Sequence, residues 1–338
     1  MRAEGPYFDE LSVGQVFADA PAYTLSSGRA ATHQAILGDR LRLALDTELA
    51  DAVAGRGALA HPAFVWDVAI GQSTVVTHHV RANLFYRNLA FHRLPAIGDT
   101  LHTVTTVAGL RQNTRREGRP PTGLAALRIV TVDQEGRSVL DFYRCAMVLL
   151  GADVETDHRD DLDALGSAGR GTGAGSPGAV GSGAGGPGAA GQAAAGWDLG
   201  AWRARVPSGR ALEVGARIEV VGGDVVSSAP ELARLTLNVA RVHHDSAAGG
   251  GQRLVYGGHT IGLALSQVSR ALPDLVTVLG WESCDHVGPV HEGDTVHSVI
   301  TVEDVSPAPT GGRIAALRSE VTSAGRPVLD WRFHALFA

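Results

Sequence analysis

The chain repeats itself. Gly98-Asp99-Thr100-Leu101-His102-Thr103-Val104-Thr105-Thr106-Val107 recurs as Gly293-Asp294-Thr295-Val296-His297-Ser298-Val299-Ile300-Thr301-Val302. Ala126-Leu127-Arg128 recurs as Ala316-Leu317-Arg318, and Gly136-Arg137-Ser138-Val139-Leu140-Asp141-Phe142 as Gly325-Arg326-Pro327-Val328-Leu329-Asp330-Trp331. The order is kept, and differences in spacing fall in Gly- and Pro-rich loops. A duplication of one folding unit is the simplest account, so the fold is built from two like halves.

The halves are separated by residues 166–196, where 13 of 31 residues are Gly and no apolar period exists. This composition reads as a flexible linker with a root-mean-square span of about 30 Å. The expected organisation is an N-terminal repeat over 1–165, the linker over 166–196 and a C-terminal repeat over 197–338. Each copy has an opening stretch (23–37; 225–242) and a helix-like apolar segment (58–72; 256–272). Val-, Thr- and Ile-rich runs with period-two alternation follow (100–110 and 124–132; 295–305 and 313–322). One helix wrapped by an antiparallel sheet is an α+β arrangement, and two copies suggest two sheets joined edge to edge.

Composition removes several function classes. All 29 basic residues are Arg, so there is no lysine for a Schiff base, for pyridoxal phosphate or for a phosphate-binding loop. A formal charge of -6 argues against nucleic acid as partner. The two cysteines, Cys145 and Cys284, lie in different halves and form neither a disulfide framework nor a CxxC metal pair, which fits a cytoplasmic protein. Residues 1–17 lack the apolar run of a signal peptide, and no 18-residue apolar stretch suggests a membrane span.

The densest polar cluster is Asn238-Val239-Ala240-Arg241-Val242-His243-His244-Asp245, followed by Arg253-Leu254-Val255-Tyr256-Gly257-Gly258-His259. A pair of glycines opening a helix leaves backbone N–H groups approachable, suited to an oxyanion or a thioester carbonyl. A histidine upstream of such donors suits proton transfer beside a polarised carbonyl. The first copy has Asp39 to Ala44 against Asn238 to His243, and His61-Pro62 near the helix start, so it lacks both base and donor. The expected site is therefore in the C-terminal repeat. His78, His79, His286 and His291 read as surface or satisfied histidines without zinc spacing, and no metal is expected. Asp99 and Asp294 read as turn formers, Asp141 and Asp330 as structural, and residues 111–121 as a solvated hairpin loop.

These residues resemble the MaoC-like (R)-specific enoyl-CoA hydratases of the hotdog fold. The wording from Leu235 to His243 and from Arg253 to His259 is most similar to the mesaconyl-CoA hydratase (β-methylmalyl-CoA dehydratase) branch, and the likeness spans both halves outside the linker. The resemblance implies a double hotdog and reversible syn addition of water across the double bond of an acyl-CoA thioester. No cofactor beyond the substrate's own CoA is implied. Carried over, His243 is the acid/base group, Gly258 the oxyanion donor, and Asn238 stands where the wider family has Asp. Because an amide accepts no proton, either Asn238 orients water for His243, or Asp245 or His244 substitutes, or activity is reduced or lost. Tyr256, Gly257, Arg253, Arg241 and Asp245 are the expected substrate contacts, the arginines either toward CoA phosphate or a substrate carboxylate or, as an equal alternative, in plain surface salt bridges. A homo-oligomer such as a dimer of double hotdogs is expected. Two rivals stay open: a thioesterase using Asp245 as base, and a non-catalytic acyl-CoA-binding subunit.

Overall fold

The computed structural model describes residues 5–162, 191–309 and 311–338. Eight long strands, four per repeat, form the frame: β1 (Val80–Phe91), β2 (Thr100–Gln112), β3 (Thr122–Val132), β4 (Ser138–Leu149), β5 (Leu275–His286), β6 (Thr295–Pro307), β7 (Arg313–Ser323) and β8 (Arg326–Phe337). With short strands at the margins they make one twelve-stranded sheet in which the long strands run β2-β3-β4-β1-β5-β8-β7-β6. The order reads the same from either end, as a duplicated unit requires. The halves join where β1 pairs antiparallel with β5, from Phe85 opposite Asp285 to Ala90 opposite Gly280. The expected strands are all present and each runs slightly longer than the apolar alternation.

Each sheet half wraps one buried helix. In the first repeat this is α2 (Pro62–Gln72), which follows α1 (Ser27–Leu37); every residue of α2 is buried. Its start lies inside the expected segment 58–72, because Pro62 takes the first helical position and His61 Nδ1 accepts the Ala63 N–H at 3.0 Å. In the second repeat α3 (Ala229–Leu235) precedes the long α4 (Gly257–Ala271). Gln72 Nε2 donates to the Leu101 carbonyl at 3.2 Å and Gln267 Nε2 to the Val296 carbonyl at 2.9 Å, so matched glutamines tether matched helices to matched strands. Trp66 of α2 meets Trp281 at 4.8 Å between ring centres, and Trp281 meets Trp331 at 5.7 Å. Each edge-on pair contributes about 0.5–1.5 kcal/mol beyond its burial, and the first of them does so across the seam between the halves.

Residues 166–190 of the expected linker lie outside the described residues. Its last part is not linker-like: Gly191–Ala194 forms a 3-10 turn, and Ala193 and Ala194 are buried against the core. Trp197, just beyond, packs against the same core.

Candidate active site

A cavity of about 300 Å³ lies between the two repeats, at the start of α4. The second repeat contributes Asn238, His243, Tyr256, Gly257 and His286, and the first contributes Thr77, Tyr86 and Arg144. No Asp or Glu is among the described residues that line it.

His243 ends a three-residue turn, Arg241–His243, that aims its ring inward. Its Nδ1 donates to the Leu254 carbonyl at 2.8 Å, which fixes the tautomer and leaves the Nε2 lone pair as the basic site. Burial is the main reason its pKa is lowered to about 4, so the ring is neutral at pH 7. The ring sits edge-on to Tyr256, centres 5.9 Å apart. Tyr256 is held in turn from the first repeat, its hydroxyl donating to Asp67 Oδ1 at 3.2 Å. Asp67 contacts His33 at 2.9 Å. Burial raises the acid well above the carboxylate range and lowers His33 well below its own, which favours the neutral forms of both.

Asn238 is 3% exposed. Its Oδ1 accepts the Ala240 N–H at 3.0 Å, so the amide orientation is set by a backbone donor and the NH2 is the end free to meet a ligand. The segment around it is clamped from both sides. His244 Nε2 donates to the Asn238 carbonyl at 2.6 Å, and the Val239 N–H donates to Thr74 Oγ1 of the first repeat at 2.9 Å. Leu237 adopts φ 61°, a left-handed conformation that a branched side chain adopts only under constraint from its surroundings. A side chain at Gly71 would overlap the Thr236 carbonyl oxygen, so α2 packs backbone to backbone against this segment.

At the start of α4 the helix leaves its first N–H groups without intrahelical acceptors. Gly257 borders the cavity, and a Cβ there would stand 2.6 Å from His286 Nε2. Gly258 does not border it; its Cα faces the Asp67 carboxyl and the Tyr256 ring. Of the two glycines, Gly257 therefore borders the cavity and the expected donor Gly258 does not, because the first turn rotates successive residues about the axis.

Three expected contacts are absent from the cavity lining. Arg241 is exposed, and Arg253 pairs with Glu292 at 2.7 Å. Asp245 is exposed and accepts the Ala247 N–H at 2.9 Å within its own turn, so it supplies no carboxylate to the cavity. Conversely, His286 is not a surface or satisfied histidine: it lines the cavity, its Nε2 is buried without a partner, and burial lowers its pKa to about 4. Arg144, Tyr86 and Thr77 escaped the sequence reading because they sit in the other repeat. Residues 111–121 are more than a solvated loop: Arg115, Arg116 and Arg119 line a cleft of about 680 Å³ that shares Arg81 and Ala82 with the cavity. Asp99 and Asp294 do form turns, accepting the N–H of Ala96 and of His291, both at 2.9 Å. Among the described residues no group of three His, Cys, Asp or Glu could hold a metal.

The equivalent place in the first repeat is closed. Leu41, Leu43, Ala44, Pro62 and Trp197 fill it to about 10 Å³. Asp39, the counterpart of Asn238, instead contacts His61 at 2.9 Å.

No family model matches the chain. Among solved structures, a Mycobacterium tuberculosis protein with a double hotdog fold is 52% identical, with 99% of each chain covered and a TM-score of 0.87. A MaoC domain protein of Chloroflexus aurantiacus, described as a dehydratase, is 25% identical with 98% and 97% covered and a TM-score of 0.77. The chain belongs to the MaoC-like double hotdog family. Two curated relatives extend the likeness to proteins named for an activity. The β-methylmalyl-CoA dehydratase of Chloroflexus aurantiacus is 28% identical, covering 97% of this chain and 91% of its own. The mesaconyl-CoA hydratase of Cereibacter sphaeroides is 27% identical, covering 93% and 88%. In this double hotdog the second repeat carries His243 and the start of α4, while the first closes the far wall.

Proposed function

We propose that this chain is a hydratase/dehydratase of enoyl-CoA thioesters, a carbon–oxygen lyase, with a short branched or dicarboxylic enoyl-CoA such as mesaconyl-CoA as substrate. The observation that carries the reading is the neutral His243, its Nε2 left open beside the start of α4 in a cavity with no carboxylate among the described residues that line it. The named activities of the two curated relatives support it. So does the arginine-lined cleft at the cavity's edge, suited to the phosphates of CoA.

In the proposed cycle the thioester oxygen accepts the Gly257 N–H at the positive end of α4, which draws electrons from the double bond. Asn238 donates from Nδ2 to the oxygen of a water. His243 Nε2 takes one proton from that water as its oxygen bonds to the β-carbon, leaving an enolate at the helix start. The imidazolium then returns the proton to the α-carbon on the same face, and the thioester is restored. The amide at 238 suits this division of labour, since only one base is needed. A thioesterase acting through a carboxylate base finds no residue for that role among the described residues that line the cavity.

The pH profile tests the base. The unprotonated ring is the active form, so kcat/KM should stay level from pH 8 down to about pH 5 and fall tenfold per unit below about pH 4. An acid limb centred near 6.5, the value of an ordinary histidine, would contradict the assignment. Stability changes over part of the same range. His243, His259 and His286 all titrate near 4 when folded and near 6.5 when unfolded, so the unfolded chain binds protons first and stability declines as pH falls from 6.5 toward 4. Returning acid-treated enzyme to pH 7.5 and recovering full activity separates titration from unfolding.

A further inference from the structure

We propose that Arg144 is the receptor for a carboxylate carried on the acyl chain, which makes the ligand a half-thioester of a short dicarboxylic acid. This rests on the reading of the cavity as an acyl-thioester site. Arg144 lies on β4 of the first repeat, is 4% exposed and lines the cavity. Its guanidinium donates to the hydroxyls of Thr77 and Tyr86, both neutral, and its Nε has no partner. Among the described residues no carboxylate comes within salt-bridge distance of it, and the neighbours that act on its charge are Tyr86, Tyr256 and Cys145. A buried cation normally sits beside an anion, because the cost of removing it from water is otherwise uncompensated. Here the anion has to arrive with the ligand.

The duplication supplies an independent comparison. Matching Leu140-Asp141-Phe142 with Leu329-Asp330-Trp331 places Arg144 opposite Phe333, which is 1% exposed and stacked on Trp331 at 3.9 Å. The fold is thus satisfied by a phenylalanine at this position, and the arginine occurs only in the copy that faces the open cavity. A CoA phosphate is a poor match for so deep a group: the arginine cleft meets the cavity at exposed Arg81, five residues along β1 from Tyr86, the register partner of Arg144. A planar carboxylate fits the guanidinium fork, and the rest of the acyl chain would span from Arg144 to the helix start at Gly257.

The test uses four-carbon pairs that differ only in a terminal carboxylate or methyl. Binding of the saturated thioesters succinyl-CoA and butyryl-CoA to the full chain is measured by calorimetry, and turnover of fumaryl-CoA and crotonyl-CoA by product mass. Wild type should bind succinyl-CoA at least about 30-fold more tightly than butyryl-CoA, the lower range for a buried hydrogen-bonded charge pair. In Arg144→Gln the preference should collapse to near unity, while Arg144→Lys keeps part of it, which a purely packing role would not produce. Equal binding of the two esters by wild type, or a preference that survives Arg144→Gln, overturns the proposal. If Arg144→Gln does not fold, the wild-type preference and the lysine variant decide. Binding preference without turnover would sink the hydratase reading and leave Arg144 as the receptor; turnover without preference would do the reverse.

Discussion

Replacing His243 by Ala should lower kcat/KM for enoyl-CoA hydration about a thousandfold while the protein stays folded. The size follows from the role: a positioned general base contributes roughly 10²–10⁴-fold, and no carboxylate among the described residues lines the cavity to take over. His244 cannot, because its Nε2 is committed to the Asn238 carbonyl. Asn238→Ala should cost about a hundredfold, since it removes the water's hydrogen-bond donor but leaves the base. The double variant should be little worse than His243→Ala alone, because both residues act on one water. Additive losses would mean that the two serve separate steps. Retention of wild-type rate in His243→Ala would refute the site.

Gly71→Ala should have the largest effect on stability of any single methyl addition near the site. The new Cβ would overlap the carbonyl oxygen of Thr236 and come within 3.3 Å of the Asn238 nitrogen, and backbone cannot swing aside as a side chain can. Overpacking costs about 1–3 kcal/mol and more where rigid atoms collide, so about 3 kcal/mol is expected, which for a chain of 338 residues lowers the melting temperature by roughly 4 °C. Activity should fall further than stability accounts for, because displacing Thr236 and Leu237 carries Asn238 with them. The matched position in the second repeat is Ser266, fully buried with its side chain accommodated, so the helix itself tolerates a Cβ. Gly28→Ala, in open space on α1, is the control and should be neutral or stabilising by up to about 1 kcal/mol. Equal melting temperatures for Gly71→Ala and wild type would show that the contact between α2 and the Asn238 segment is not rigid.

The repeat made the fold legible. Once Gly98 to Val107 was matched with Gly293 to Val302, the two-helix, one-sheet plan followed from period-two alternation around two apolar segments. The central pair His243 and Asn238 was also legible, because a polar cluster ahead of a Gly-Gly helix start is a local signal. The remainder of the cavity was not, for a topological reason. β1 pairs with β5, so the wall facing His243 comes from the other copy, and its residues lie some 100 to 170 positions away in sequence. Overlaying the copies exposes Arg144 of the first repeat and, beside His243 in the second, His286: Arg144 stands against Phe333 and His286 against Phe91, polar groups where the other copy has an aromatic core residue. Gly258 was preferred to Gly257 because sequence spacing does not say which face of the first turn meets the ligand. Arg241, Asp245 and Arg253 were drawn in by proximity along the chain, whereas a turn and an ion pair with Glu292 take them away from the cavity.

The most direct measurement is the product of wild-type enzyme incubated at pH 7.5 with mesaconyl-CoA, read by mass and by free thiol in the same sample. Hydration predicts an acyl-CoA heavier by one water, no release of CoA thiol, and the reverse conversion when the hydrated thioester is supplied instead. Free thiol with an unhydrated acid would establish a thioesterase. Bound but unchanged substrate across mesaconyl-, fumaryl- and crotonyl-CoA would establish a binding protein and contradict the catalytic account.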